Sequence, residues 1–455
     1  MITGIIQFFY RDIKREEIKK FGLLAIALFF ILGTYWILRL LKDILIYKEA
    51  FPVEFWGEGY GATMIPSLKI ASILTISIVS IIYAKLIDSF KKHQLFYIII
   101  SFFIAAFTVI TAIVFAMKIW GVAAIGKMPL AITGIATYLI TESYGSLVIA
   151  LFWSFTVSSS TSDQAKRCFP LIMTIAQIGT ILGSGLVSQS IDITLLFFIC
   201  LFSLASVIVT MHYFVANVPV EAELHTEKKK SKPDILAGFK LIFTQPYLAG
   251  VLIVSTFYEV AKTVVDYQMK SQAAIIPGVN FQVFIGKFGT YVNILTFVIS
   301  LLGTAKLIKQ FGLRFCLLFS PVVYGGSLIV LYFYYQSSPA PMDLLNATLY
   351  VMIALTAISY AVNNPTKEMM YIPTSKDAKF KAKGLIDMFG SRSAKGTGAA
   401  VGGALNVKGD ALMSIANLMT YGTLFSVGIV AAWMVAAVFV GLKNSQLIKD
   451  GEIIE

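Results

Sequence analysis

Residues 195–215 read LLFFICLFSLASVIVTMHYFV, a run without a single Asp, Glu, Lys or Arg. Coiled as a helix rising about 1.5 Å per residue, such a run crosses the ~30 Å hydrocarbon core of a bilayer. Residues 95–117, LFYIIISFFIAAFTVITAIVFAM, repeat the pattern. Of the 455 residues, 57% are hydrophobic and only 14% charged, whereas a soluble domain carries about 25% charged residues. The chain therefore reads as an all-α integral membrane protein.

Apolar runs and their polar breaks predict twelve transmembrane helices, at 21–47, 63–87, 94–117, 132–158, 169–190, 193–215, 248–272, 282–309, 314–336, 343–363, 385–407 and 413–441. The stretch 118–136, holding Lys127 and Pro129, is an extra apolar segment at one interface. With the N-terminus inside, alternating loops put Arg11, Lys14, Arg15, Lys19 and Lys20, then Lys85, Lys91 and Lys92, then Lys166 and Arg167, in the cytoplasm. The lysine run Lys228, Lys229, Lys230, Lys232 falls there too, as do Lys306, Lys309, Arg314 and the run from Lys367 to Lys383. Only Lys48, Lys118, Lys127 and Lys408 fall outside. That bias places both termini in the cytoplasm, with the cell inner membrane as the expected location. It also accounts for the net charge of +12 without nucleic acid; the expected surroundings are the lipid bilayer.

The chain repeats itself. Tyr35, Arg39 and Asp43 are answered by Tyr258, Lys262 and Asp266. Ala84-Lys85-Leu86-Ile87 recurs as Ala305-Lys306-Leu307-Ile308, Ser143-Tyr144 as Ser359-Tyr360, and Ala165-Lys166 as Ala382-Lys383. The matches keep their order at a slowly drifting offset. This predicts an N-terminal six-helix half, 1–215, a cytoplasmic linker, 216–247, and a C-terminal six-helix half, 248–455. Such a 6+6 pseudo-symmetric bundle is the major-facilitator-like arrangement of transporters.

Eight basic residues fall inside the expected spans: Arg39, Lys42, Lys69, Lys262, Lys270, Lys287, Arg392 and Lys395. Five acids accompany them: Asp43, Glu142, Glu259, Asp266 and Asp387. Each such charge costs at least about 2.5–3.5 kcal/mol in a membrane, so each needs a partner or water. None lies in the interior of the third, sixth, ninth or twelfth span, the peripheral helices of a major-facilitator bundle. Part of the set is explained by pairing alone. Arg39 with Asp43 and Lys262 with Asp266 stand at i and i+4, and Lys270 and Asp387 lie near span ends, where they can snorkel.

The surplus of cations points to an anionic cargo in a central positively charged cavity, and several lysines with an arginine suit a polyphosphate. The segment 390–398, GSRSAKGTG, brings small residues beside Arg392 and Lys395, either to let donors approach an oxyanion or simply to pack helices closely. Tyr35, Trp36, Tyr144, Tyr258 and Tyr360 lie at similar depth, available for stacking on a base or for ordinary packing. The segment 121–128, GVAAIGKM, approaches a phosphate-binding loop but lacks the Ser or Thr that would hold magnesium, and no strand precedes it. Cys168, Cys200 and Cys316 are too scattered for a metal site. No catalytic constellation emerges and no cofactor is called for, so an enzyme is not expected.

Several stretches resemble the nucleotide transporters, or ATP/ADP translocases, of plastids and intracellular bacteria. Leu38-Arg39-Leu40-Leu41-Lys42-Asp43 is similar to their first-helix motif, Ile65-Pro66-Ser67-Leu68-Lys69 to the start of their second, and Thr141-Glu142-Ser143-Tyr144 with Phe152-Trp153 to their fourth. Ala165-Lys166-Arg167-Cys168-Phe169-Pro170 follows in place, and residues 364–373, NPTKEMMYIP, lead into Lys383-Gly384 and the Arg392/Lys395 segment. Alternating access by rocking of the two halves, in a monomer, is the mechanism expected here. The resemblance implies exchange of nucleotides, typically ATP for ADP. It carries Lys42, Glu142 and Lys395 over as motif residues. Tyr35, Arg39, Lys69, Tyr144, Glu259, Lys262, Lys287 and Arg392 complete the expected substrate-binding set. The seventh helix departs from the family. Exchangers of ATP and ADP read Asn-x-x-Glu-x-x-Trp-Lys there, whereas this chain has Glu259, Lys262, Val265 and Asp266 in the nearest register. Asn364 and Val157 stand where Asp and Asn are common. The alternative is a proton-coupled transporter of another nucleotide or organic anion, with Glu142 or Glu259 carrying the proton.

Overall fold

A backbone in hydrocarbon must satisfy every N–H and C=O internally, so apolar runs of this length become helices. The computed structural model describes residues 14–218, 235–302, 304–407 and 409–454. Arg11, most of the linker and its lysine run lie outside them. The long helices of the first half are α1 Arg15–Ile44, α2 Tyr60–Ser89, α3 Lys92–Trp120, α4 Lys127–Ser158, α5 Ser162–Ser188 and α6 Ile193–Asn217. Those of the second are α7 Pro246–Ile275, α8 Phe281–Leu302, α9 Thr304–Gln336, α10 Pro341–Ile358, α11 Ser391–Ala404 and α12 Thr423–Asp450. Apart from two isolated bridges, the described residues are helices and turns.

Eleven helices among the described residues are long and apolar enough to span a membrane. The twelfth expected span, 385–407, is helical but too polar to qualify. It runs from the helix Lys376–Leu385 through a π-turn, Ile386–Gly390, into α11, bringing Asp387, Arg392 and Lys395 with it. Two boundaries also move. Helix α4 begins at Lys127, not near 132, because Gly121 and Gly126 (φ 79° and 83°) close the turn before it. These glycines supply a left-handed backbone, the role of a turn rather than of a phosphate loop. Helix α10 continues through a π-turn, Ser359–Asn363, into Asn364–Met369. Lys367 therefore lies in the last turn of a spanning helix, not in the loop that its charge suggests.

The chain divides into two compact units. The first holds Met1–Trp56, Leu74–Lys228 and Asn280–Asn293; the second holds Gly57–Ile73, Lys229–Val279 and Ile294–Glu455. In the first, α1 packs closely on α5. A Cβ added at Gly183 would overlap the Gly33 carbonyl, and one at Gly179 the Phe29 carbonyl, so small residues set the helix spacing, as usual in membranes. Thr108, Thr111, Thr133, Thr137, Ser143 and Ser146 donate their hydroxyls to carbonyls four residues back, which hides them from lipid. In the second unit α7 is the central element, with 78% of its most apolar window buried.

Candidate functional site

In the first unit the charged side chains gather on α1 and α4. Arg39, Lys42 and Asp43 occupy i, i+3 and i+4 of α1, one face of the helix. Tyr138 and Glu142 stand one turn apart on α4. Lys42 Nζ lies 3.1 Å from Asp43 Oδ1 and 3.2 Å from Glu142 Oε1, and 3.8 Å from the centre of the Tyr138 ring. Lys42 is 5% exposed and Asp43 3%. One ammonium is thus clasped by two carboxylates and an aromatic face. Removing the lysine leaves two carboxylates close together with no shared cation, Asp43 among them deeply buried.

Arg39 lies over Trp36, 4.7 Å from its ring centre. The Tyr35 ring lies against Gly145, where any Cβ would overlap it. Tyr144 is 0% exposed; its hydroxyl donates to the Ile31 carbonyl, and Phe103 and Phe107 pack edge-on against its ring. The structure therefore gives Tyr144 a packing position in the core, where no base can reach its faces. Lys287, on the first turns of α8, is exposed.

In the second unit α7 presents Tyr258, Glu259, Lys262, Asp266 and Lys270. The expected pairing of Lys262 with Asp266 does not describe the contacts. Asp266 is taken by Lys270, at 2.8 Å, and by Lys69, at 3.5 Å. Lys262 instead lies over Tyr360 at the end of α10, 4.7 Å from the ring centre. Lys270 is 8% exposed and engaged within the unit rather than snorkelling. Glu259 is likewise 8% exposed, and its charged neighbours are Lys395 of α11, Lys262 and Lys367. The stoichiometry reverses that of the first unit: one acid among three lysines, in place of one lysine between two acids.

Arg392 and Lys395 lie on α11, partly exposed and exposed respectively. The glycines around them serve packing. A Cβ at Gly398 would crowd the Val260 carbonyl and Thr263, and one at Gly402 the Tyr267 ring, so they set the approach of α11 to α7. Tyr138 and Lys367 are absent from the expected set. Tyr138 stands four residues before Glu142, a spacing that marks one helical face. Lys367 follows Tyr360 by about two turns, a relation hidden by reading α10 as ending at 363.

A profile of known transporters, described as TLC ATP/ADP transporter, matches residues 2–125 and 120–443. The chain belongs to the TLC ATP/ADP transporter family. Within the family, the chain is 24% identical to ADP,ATP carrier protein 1 of Rickettsia bellii, over 97% of this chain and 96% of that one. It is 27% identical to the chloroplastic ADP,ATP carrier protein 2 of Arabidopsis thaliana, covering 96% and 76% of the two chains. Among solved structures, the nucleoside transporter NupG matches with a TM-score of 0.57 at 13% identity, over 93% of this chain and 99% of that one. A bacterial homologue of the iron transporter ferroportin, in its inward-facing state, matches with 0.62 at 11% identity, over 93% and 100%. At such identities the likeness is one of fold, and it makes this TLC family member a multi-pass membrane protein of major-facilitator-like architecture.

Proposed function

We propose that this chain exchanges nucleotides across a membrane, ATP for ADP, by alternating access. The observation that carries the reading is the nearly end-to-end similarity to relatives named ADP,ATP carriers. The charge chemistry supports it. Lys42 and Arg39 in one unit, and Lys262, Lys367, Arg392 and Lys395 in the other, are donors suited to phosphate oxygens. Glu142 and Glu259 hold those cations apart and in place while no anion is bound. We assign Tyr35, beside Gly145, to the base, and Lys69 of α2 and Lys287 of α8 add positive charge. We further read the chain as a monomer in the cell inner membrane with both termini cytoplasmic. Its two six-helix halves, 1–215 and 248–455, are joined by 216–247.

Exchange follows from the same electrostatics. Carrying unmatched lysines through a closed, low-dielectric state costs several kcal/mol per ion, and a bound polyphosphate removes that cost. Loaded forms cross; the empty form does not. The test is uptake of labelled ATP into proteoliposomes loaded with ADP, AMP, phosphate or buffer. Uptake that requires internal ADP is the expected result. Equal uptake into buffer-loaded vesicles overturns exchange, and absence of ATP uptake under every loading overturns the nucleotide reading.

A further inference from the structure

We propose that Lys367 is a phosphate ligand of the transported nucleotide, and that it weights binding toward the triphosphate; this rests on the nucleotide exchange proposed above. Three observations converge on it. First, Lys367 belongs to a spanning helix and is only partly exposed, so its position in the bundle is defined by packing. Second, Lys262 of α7 lies over Tyr360 of α10, and Lys367 at the end of α10 lies over Tyr258 of α7, 5.3 Å from the ring centre. Each helix lends the other a ring on which to rest a cation. Third, the remaining charges near Lys367 are Asp387, Glu259, Glu368 and Lys395. Of these acids, Glu368 is already paired with Lys383 at 2.7 Å, and Glu259 is shared among three lysines.

A cation resting on an aromatic face differs from one in a salt bridge. The ring holds it with about 0.5–2 kcal/mol and does not neutralise it. Its charge stays available to an anion, and a small movement transfers it. Lys42, clasped by two carboxylates, is the contrasting case. Tyr258 itself packs against Trp433, at 6.1 Å between ring centres, which also packs edge-on against Tyr324. A lysine so placed gains in proportion to ligand charge, because the Coulomb energy scales with it.

The test uses full-length purified protein and direct binding of ATP, ADP, AMP and inorganic pyrophosphate to wild type, Lys367→Gln and Lys367→Arg. The expected result for Lys367→Gln is a loss of roughly tenfold or more for ATP, a smaller loss for ADP and less than about twofold for AMP. Lys367→Arg, which keeps a cation able to bond phosphate oxygens, stays within about threefold of wild type. Equal losses for all three nucleotides, or none, overturn the proposal and leave Lys367 as a support for Tyr258. Should Lys367→Gln fail to fold, amine labelling of wild type decides. Saturating ATP or pyrophosphate must slow reductive methylation of Lys367 while leaving exposed Lys85 unaffected, and absence of protection overturns the assignment. A wild type that binds pyrophosphate but no nucleotide overturns the function proposed above, and the pyrophosphate isotherm of Lys367→Gln then judges Lys367. A wild type that binds neither overturns both.

Discussion

Lys367 Nζ stands 5.3 Å from the centre of the Tyr258 ring, while Lys262, one turn beyond Tyr258 on α7, stands over Tyr360. The second unit thus holds two lysines on rings and gathers three around Glu259, whereas the first unit encloses Lys42 between Asp43 and Glu142. Cations held loosely on one side and firmly on the other are expected to respond differently to substitution.

If the ring face is what holds Lys367, the aromatic matters more than the hydroxyl. Tyr258→Phe is expected to bind ATP within about twofold of wild type. Tyr258→Leu is expected to bind it about fivefold more weakly, near 1 kcal/mol. Titration of both variants by ATP decides, and like behaviour of Phe and Leu would dismiss the ring as the holder.

Lys42→Ala leaves buried Asp43 beside partly exposed Glu142 without the cation they share. A loss of about 3–5 kcal/mol in stability is expected, read from chemical unfolding in detergent. Adding Asp43→Asn and Glu142→Gln should recover a large part of it while transport stays abolished. A neutral triple variant no more stable than Lys42→Ala would show that the clasp has no electrostatic role.

The contact of α1 with α5 depends on bare backbone. Gly183→Ala drives a methyl into the Gly33 carbonyl and is expected to cost about 1–3 kcal/mol as the helices part. Gly326→Ala, where nothing lies within 4 Å of the added methyl, should leave stability unchanged or slightly raised. Melting curves of the two variants that coincide would refute the close-packing account.

Asp192 caps α6, accepting from the Thr194 and Leu195 N–H groups at 3.0 and 3.3 Å, and pairs with Lys118 at 2.9 Å. Burial pushes its carboxyl up, but the Lys118 ammonium and the two N–H groups outweigh it and hold the carboxyl below its ordinary value. Its stabilising contribution is therefore complete above the ordinary carboxylate range and is lost as pH falls through the depressed folded value. Asp192→Ala is expected to lose about 0.5–2 kcal/mol at neutral pH, with the deficit shrinking in acid. A deficit that stays constant as the pH is lowered would exclude the ionised cap.

Much of the architecture was legible in the chain, because lipid imposes a rule that sequence obeys locally: about twenty apolar residues make a span. At 385–407 a helix forms as expected, yet Asp387 in its π-turn and Arg392 and Lys395 on α11 make it too polar to count among the eleven apolar spans of the described residues. The rule misled at α10, where an NPTK sequence reads as a loop but continues as helix through a π-turn. Pro365 has no N–H to give to the preceding turn, and the π-turn Ser359–Asn363 just before it lets the helix continue past it.

The sequence by itself determined the membrane class, the surplus of cations within the expected spans and the family. Composition, order and charge are local properties, and each can be read one residue at a time. Only the tertiary structure decided which charge meets which. Asp266 pairs with Lys270 and Lys69 rather than Lys262, Tyr144 is sealed in the core, and Lys367 joins the group around Glu259. Helical spacing offers each side chain several partners of similar strength along its own face, and the choice among them is made by the neighbouring helix that packs there.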